Sequence, residues 1–287
     1  MREKVLRAIQ EQKRLEGAHL EGVDLSRANL ENAWLVRACL DTANLERSHL
    51  EGARLYGASF RGANLFNANL RGANLKECDM EGANLLEVKL DRAKILGIHW
   101  GRHGVIKNEL EGRHLERTGD FRKAKVKFRE AEEIYRNICL HLTAAGLLSE
   151  VGGYFYREMV SRRKQKNFFS TERISSKMID LLCGYGEKTF RVVASGFVII
   201  FIFSFFYFLA GVHHGPEVIA YDRAQSLHQN FHEYFLSFYF SLVTFTTLGY
   251  GDIIPVSMTR LVAGMEAFLG AFMIAFFVLV FSKKLIR

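Results

Sequence analysis

The residues with the most distinctive chemical pattern lie at positions 244–252, where the sequence reads TFTTLGYGD. Gly249 and Gly251 alternate with larger residues, and glycine adopts positive φ angles without steric cost. This alternation permits a backbone whose successive carbonyl groups point at one axis. Because rings of carbonyl oxygens can replace the water shell of a dehydrated cation, the stretch predicts a cation site made of backbone oxygens.

Such a backbone needs particular surroundings, since non-helical chain at membrane depth is stable only where it lines a water-filled cavity. Residues 192–212 carry no charge and residues 261–281 carry only Glu266, so each can span a bilayer core of about 30 Å as a helix. Between them, residues 231–246 form an aromatic-rich apolar helix that is too short to cross the bilayer. The sequence therefore predicts two spans with a re-entrant helix before the carbonyl segment.

The charges that flank the two spans predict their orientation, because cytoplasmic loops are enriched in lysine and arginine. The only lysine or arginine residues between the spans are Arg223 and Arg260. The basic residues on the outer flanks are Arg173, Lys177, Lys188, Arg191, Lys283, Lys284 and Arg287. We therefore expect a multi-pass protein of the plasma (inner) membrane with both termini in the cytoplasm.

Residues 244–252 resemble the selectivity filter of potassium channels, whose signature is T-x-x-T-V-G-Y-G-D or close to it. Leu248 stands where valine or isoleucine is commoner, whereas Tyr250 agrees with the signature; an acidic residue at that place marks nonselective relatives. The resemblance implies a pore helix at 231–246, a filter at 247–252 and K+ as the permeant ion. The residues whose carbonyl groups would bind K+ are Thr247, Leu248, Gly249 and Tyr250, with the Thr247 hydroxyl adding a ligand and Gly251 completing the filter.

The same resemblance predicts residues that support the filter. Thr244, Thr246 and Asp252 lie within or beside the signature. Glu266 is a charged residue in a membrane helix, and such a residue is a functional-site hypothesis by default. We expect Glu266 to support the pore helix or the filter through hydrogen bonds.

Two glycines of the second span are candidates for a gating hinge. Gly270 lies near the position where potassium channels keep a bending glycine, and Gly264 competes for the same role. Close packing of helices is the alternative explanation, because glycine lets helix backbones approach each other in membranes.

A single chain supplies only one strand of carbonyl groups to a ring. Four copies must surround the axis, so we expect a homotetramer with cyclic symmetry in a lipid bilayer. A second Gly-Tyr-Gly occurs at residues 184–186, but it lacks the preceding threonines and pore helix. It ends a basic, amphipathic segment at 171–188, which we expect to lie on the membrane surface.

The first hundred residues repeat with a period of five. From Leu15 to Ile95 every fifth residue is large and apolar, and the residue two places before it is small or short. Neither a helix nor a strand has this period, but a chain that turns a corner every five residues closes a square coil of twenty. The motifs RANL, GANL and NANL are similar to the consensus of the pentapeptide-repeat family, which implies a right-handed quadrilateral β-helix over residues 16–100.

Some soluble members of that family imitate DNA through acidic surfaces. Residues 16–100 contain ten basic and twelve acidic side chains, a net charge of −2, so this surface is mixed and the DNA-mimic hypothesis is disfavoured. A scaffold that presents its outer faces to a partner or to neighbouring subunits fits better. No nucleic-acid partner is expected.

A helical period follows the repeats. Apolar residues on one face from Phe121 to Leu142, and on a second face to about residue 163, predict a helical hairpin at 119–164 within a cytoplasmic segment of 101–170. Residues 1–15 are expected to form a helical cap. The four cysteines match no zinc spacing.

The fold class that follows is a multi-domain membrane protein. It has an N-terminal right-handed quadrilateral β-helix of pentapeptide repeats, an α-helical hairpin linker and an all-α, two-helix potassium-channel pore domain at 189–287. We expect a potassium-selective channel, with no enzymatic activity or organic cofactor, that is regulated by an unknown cytoplasmic ligand or protein acting on the repeats. The alternatives are a nonselective cation channel and a membrane-anchored scaffold with a non-conducting pore.

Overall fold

The computed structural model describes residues 2–11, 14–256 and 259–286. The chain divides into two compact units, Met1–Ser176 and Lys177–Arg287. Helix α1, Arg2–Gln10, opens the first unit. The expected cap at 1–15 extends beyond this helix, and residues 12 and 13 lie outside the described part of the chain.

The repeats form a stack of twenty-residue coils. Isolated parallel bridges join residues twenty positions apart, from His19↔Cys39 to Asp79↔His99. Two turn residues follow each central apolar residue, so the chain bends every five residues. The coil predicted from the period of five is therefore confirmed. Each side is too short to form a regular strand.

The interior of the coils is apolar and regular. The central apolar residues from Leu20 to Ile95 and the small residues from Val23 to Val88 are buried, and Leu45 and Ala43 have no exposed surface. The second turn residue adopts a positive φ angle, which Gly52 reaches freely at 65° and Arg37 also adopts at 54°. Backbone N–H groups bond across coils, so few main-chain polar groups lack partners in this interior.

Three helices follow the repeats, after a short 3₁₀ turn at Arg102–Gly104. They are α2 at Lys107–Arg117, α3 at Phe121–Ala144 and α4 at Leu148–Lys164. Helices α3 and α4 correspond to the hairpin predicted at 119–164, whereas α2, which packs against α3, is a third helix that the prediction for the 101–170 segment lacked.

The physical reason is that α2 is anchored mainly by polar and small residues, which give no apolar period. Glu109 is buried, accepts a hydrogen bond from the Tyr135 hydroxyl and lies 3.5 Å from the Arg157 guanidinium. Burial and the neighbouring Glu109 carboxylate raise the pKa of Tyr135. A Cβ on Gly112 would lie 3.1 Å from the Phe128 ring, so glycine permits the close approach of α2 and α3.

The second unit carries the two long apolar helices. After α5 at Thr171–Cys183, positive φ angles at Gly184, Tyr185 and Gly186 end the helix. Helix α6 spans Thr189–Ala210, α7 spans Leu227–Phe245 and α8 spans Thr259–Ile286. Both α6 and α8 are long and apolar enough to cross a membrane.

The helix bounds differ from the predicted ones where local chemistry sets the ends. Helix α7 begins four residues before the predicted 231, because Ser226 and Gln229 form a capping box: the Gln229 N–H donates to Ser226 Oγ at 3.3 Å and the Ser226 N–H donates to Gln229 Oε1 at 3.0 Å. Helix α6 ends before the predicted 212, since Gly211 has a φ of 89°.

The prediction of an all-α pore domain is wrong. Strands β1 at Val212–His214, β2 at Glu217–Ile219 and β3 at Ile253–Pro255 form an antiparallel sheet in the order β2-β1-β3. Val212 is opposite both Ile219 and Pro255. Strands of three residues are too short to show an alternating pattern, and β3 lies about forty positions from its partner, so the sequence carried no signal for this sheet.

Candidate functional site

The filter segment leaves the C-terminal end of α7. The Thr247 N–H donates to the Thr244 carbonyl at 3.0 Å, and the Leu248 N–H donates to the Val243 carbonyl at 3.0 Å. The Thr246 hydroxyl donates to the Leu242 carbonyl at 2.7 Å. These bonds fix the direction in which the chain leaves the helix, so Thr244 and Thr246 act on the start of the filter.

The backbone of the filter segment alternates in the sign of φ. Thr247, Gly249 and Gly251 have φ angles of 57°, 59° and 78°, whereas Leu248 and Tyr250 are not among the positive-φ residues. Alternation between left-handed and right-handed conformations turns successive peptide planes the same way, so their carbonyl groups point to one side. A β-branched residue such as Thr247 rarely adopts positive φ, and such strain concentrates at functional sites.

The segment is held at both ends and exposed between them. Asp252 is exposed and leads directly into β3, where Ile253 is opposite His214 of β1. The side chains of Leu248 and Tyr250 are large, and the two residues are 61% and 68% exposed. The chain by itself therefore leaves the side chains of the filter segment uncovered.

Glu266 joins the three helices around the filter. Its carboxylate lies 2.8 Å from the Tyr207 hydroxyl of α6 and 2.5 Å from the Ser241 hydroxyl of α7. Glu266 has no exposed surface, and the Ser241 oxygen also lies 3.0 Å from the Ile200 carbonyl of α6. Among the residues that the structure describes, no cation forms an ion pair with it. Glu266 is thus a buried hydrogen-bonding centre that links α6, α7 and α8.

Gly270 packs against the end of the pore helix. A Cβ on Gly270 would overlap the Phe245 carbonyl oxygen and would lie 2.7 Å from its carbonyl carbon. On the other side, a Cβ on Gly196 of α6 would lie 3.6 Å from the Phe245 ring, an ordinary contact. Gly264, in contrast, has nothing within 4 Å of the corresponding position. Of the two hinge candidates, only Gly270 therefore has a visible packing function.

The structure brings most of the predicted residues to one place. Thr244 and Thr246 lie at the start of the filter, Asp252 at its end, and Gly270 beside its base. Sequence reasoning missed Tyr207 and Ser241, which bind Glu266. Both are polar residues inside apolar helices, and that contrast is the signal that could have identified them.

One group of side chains elsewhere has metal-ligand chemistry. Ligand atoms of Asp79, Glu81 and His99 lie within 4.8 Å of one another. The guanidinium of Arg61 lies 2.7 Å from Glu81 and 3.7 Å from Asp79, so its positive charge offsets one of the two carboxylate charges. These residues form an ion-pair cluster on the repeats.

Two family models match the chain. One, described as pentapeptide repeats, matches residues 14–41, 43–82 and 59–97. The other, described as ion channel, matches residues 195–287. The comparison with curated proteins finds no match.

Several solved structures that are similar to the chain are pentapeptide repeat proteins. One from the Arabidopsis thaliana thylakoid lumen is 34% identical over 31% of this chain and 57% of its own, with a TM-score of 0.22. One from Cyanothece 51142 is 39% identical over 31% of this chain and 61% of its own, with a TM-score of 0.21. One from Nostoc Pcc 7120 is 26% identical over 32% of this chain and 74% of its own, with a TM-score of 0.23. The chain thus spans about three fifths of the length of the first two.

The C-terminal match identifies an ion-channel domain at residues 195–287, and this domain contains most of the two apolar helices. The N-terminal match adds the particular feature of this chain, a set of pentapeptide repeats fused to the channel domain. Both resemblances read from the sequence are therefore confirmed. A membrane protein follows from the same two findings.

Proposed function

We propose that the protein is a potassium-selective channel that conducts K+ passively through a homotetrameric pore. The observation that carries this proposal is the alternation of φ at Thr247, Gly249 and Gly251 directly after the end of α7. It supports a filter in which the carbonyl groups of the four residues from Thr247 to Tyr250, and the Thr247 hydroxyl, replace the water around K+. Position 250 is a tyrosine and not an acidic residue, which favours a potassium-selective pore over a nonselective one.

The homotetramer is supported by what one chain leaves incomplete. Each chain offers one strand of carbonyl groups, and K+ needs a ring of them. The large side chains of Leu248 and Tyr250 are exposed in the single chain. Neighbouring copies arranged around a four-fold axis would cover them.

The surroundings of the pore complete the proposal. Glu266, through Tyr207 and Ser241, holds the pore helix between the two spans, and Gly270 lets the base of that helix approach α8. The domain divisions that we propose are a cap at 1–15, a right-handed quadrilateral β-helix at 16–100, a linker at 101–170, an interfacial helix at 171–188 and a pore domain at 189–287. The protein lies in the plasma (inner) membrane with both termini on the cytoplasmic side, and the repeats regulate the pore.

The test is potassium flux into liposomes that contain the purified protein. Gly249→Asp places a charged side chain in the filter, so we expect loss of the flux. Gly215→Asp is the matched control, because Gly215 has a φ of 60° and nothing within 4 Å, as Gly249 has a φ of 59° and nothing within 4 Å. Flux that survives Gly249→Asp, or that disappears equally in both variants, would contradict the assigned filter.

A further inference from the structure

The sides of the coil stack differ in charge. The residue before each central apolar residue lies on a flat side, and the two residues after it form a corner. Outward side chains therefore fall in columns that repeat every twenty residues, as the bridge Trp34↔Arg54 shows. We call one flat column the cationic side; its members are Arg14, Trp34, Arg54, Asn74 and Lys94.

Two cations of this side contact an aromatic ring, and in the described part of the chain the cations of this side have no carboxylate partners. The guanidinium carbons of Arg14 and Arg54 each lie 4.3 Å from the centroid of the Trp34 ring. Within the described ranges, no ion pair includes Arg14, Arg54 or Lys94. Elsewhere on the repeats arginines do have partners, such as Arg71 at 2.8 Å from Asp91. The cationic side therefore holds charge that the chain itself leaves unneutralised.

The next side along the chain has the opposite charge. We call it the acidic side; it comprises the column of His19, Cys39, Ser59, Asp79 and His99 together with the corner column of Glu21, Asp41, Arg61 and Glu81. Four carboxylates face a single arginine there, and Arg61 pairs with Asp79 and Glu81. The formal charge of this side is −3 when its histidines are neutral.

The corner between these two sides carries exposed apolar side chains among charged ones, and we call it the apolar corner. Its first column consists of Glu16, Val36, Tyr56, Lys76 and Leu96, of which Tyr56 and Leu96 are 39% and 45% exposed. Its second column has glycine at three of five places, which keeps the corner narrow; the residues are Gly17, Arg37, Gly57, Glu77 and Gly97. An exposed apolar edge flanked by opposite charges is an arrangement suited to contact with protein.

We infer that the coil stacks of the homotetramer pack around the four-fold axis, with the cationic side of each copy against the acidic side of the next. Four square columns related by a four-fold rotation touch through two adjacent sides, and those sides meet at the corner nearest the axis. The contact is heterologous and closes after four copies. The cationic and acidic sides are adjacent, and the corner they share carries Tyr56 and Leu96. The inference rests on the homotetramer of the proposed function.

A second copy explains more of this surface than an anionic lipid or nucleic acid does. Either of those would bind the cationic side but would be repelled by the acidic side next to it. The neighbouring copy supplies carboxylates to Arg14 and Arg54 and cations to Asp41 in a single contact. It also covers the apolar corner.

The experiment measures distances between copies with spin labels in the full-length tetramer. The background replaces the native cysteines by Cys39→Ser, Cys78→Ala, Cys139→Ala and Cys183→Ala. One variant adds Lys76→Cys at the apolar corner, and the matched control adds Glu46→Cys at the diagonally opposite corner, in the column of Ser26 and Phe66. We expect shorter distances for Lys76→Cys than for Glu46→Cys, with adjacent and diagonal pairs in a ratio of about 1.4, as four-fold symmetry requires.

Native mass spectrometry of the same samples separates the two proposals. A tetramer with equal distances, or with shorter distances for Glu46→Cys, would overturn this packing and leave the channel proposal standing. Absence of a tetramer would overturn the homotetramer of the proposed function, and this packing with it.

Charge reversal tests the complementarity itself. Arg54→Glu is expected to lengthen and broaden the Lys76→Cys distances, and the further change Glu81→Arg to narrow them again. Arg47→Glu, on the corner farthest from the axis, is the control and should leave the Lys76→Cys distances unchanged. Unchanged distances in Arg54→Glu, together with a tenfold loss of binding to phosphatidylserine vesicles, would overturn the inference in favour of a lipid surface.

Discussion

Gly270 offers the sharpest mutational test of how the second span positions the filter. In Gly270→Ala the new Cβ would lie 2.7 Å from the Phe245 carbonyl carbon and 3.0 Å from its Cα. Because carbon atoms pack at about 3.5–4.0 Å, the base of the pore helix must retreat by roughly 1 Å. The obstacle is backbone, so no side chain can turn aside to relieve the overlap.

The magnitude follows from two opposing effects. Overpacking of this kind costs about 1–3 kcal/mol. Alanine is favoured over glycine in a helix by about 1 kcal/mol. Gly264→Ala gains the same propensity and meets nothing within 4 Å, so it is the matched control. The two variants should therefore differ in stability by about 1–3 kcal/mol, with Gly270→Ala the weaker.

The assay is thermal unfolding of the purified channel in detergent, combined with single-channel recording. We expect a lower unfolding temperature and a lower single-channel conductance for Gly270→Ala, and wild-type values or slightly higher stability for Gly264→Ala. Equal stability of the two variants with normal conductance would refute the packing role. Equal stability with a changed open probability in Gly270→Ala would instead favour the hinge.

Three further predictions concern other parts of the chain. Glu266→Ala leaves the buried Tyr207 hydroxyl without a partner, so it should lower the stability measured by thermal unfolding by about 1–3 kcal/mol. Glu266→Gln keeps a hydrogen-bond acceptor and should lose less stability. Equal losses in the two variants would contradict the hydrogen-bonding role of Glu266. The Lys123 N–H lowers the pKa of Asp120, so the stability that this cap gives α3 is present above the unfolded-state pKa and is lost as the pH falls through the folded-state pKa. Asp120→Asn should keep the cap but remove the acid-induced loss of helix that circular dichroism records for the wild type. A pH profile identical to that of the wild type would refute this role of Asp120. Burial raises the pKa of the Cys78 thiol to about 12, so a maleimide should label Cys78 only after unfolding. Rapid labelling of Cys78 in the native protein would show that the coil interior is open.

The parts of this structure that sequence predicted are those with a dense local pattern. The period of five predicted the coils, because almost all of the central apolar residues and the small residues before them are buried in the interior. Glycine alternation predicted positive φ angles at Gly249 and Gly251, since the required conformation is a property of the residue itself. The two spans followed from their length and lack of charge.

The parts that sequence did not predict depend on contacts between distant residues. The sheet pairs His214 with Ile253, and neither strand is long enough to show a pattern. The Glu266 network joins residues 59 and 25 positions away, so Tyr207 and Ser241 could not be chosen from spacing. Helix α2 was missed because the buried Glu109 takes the place of an apolar residue in its contact with α3.

The central claim is potassium selectivity, and the most direct measurement is the reversal potential of the purified protein in a planar bilayer with potassium on one side and sodium on the other. We expect a value near the potassium equilibrium potential, with the current abolished in Gly249→Asp and retained in Gly215→Asp. A measurable current with a reversal potential near zero would contradict potassium selectivity and would show a nonselective cation pore. A folded tetramer without current, under the same ionic gradient, would favour the scaffold with a non-conducting pore.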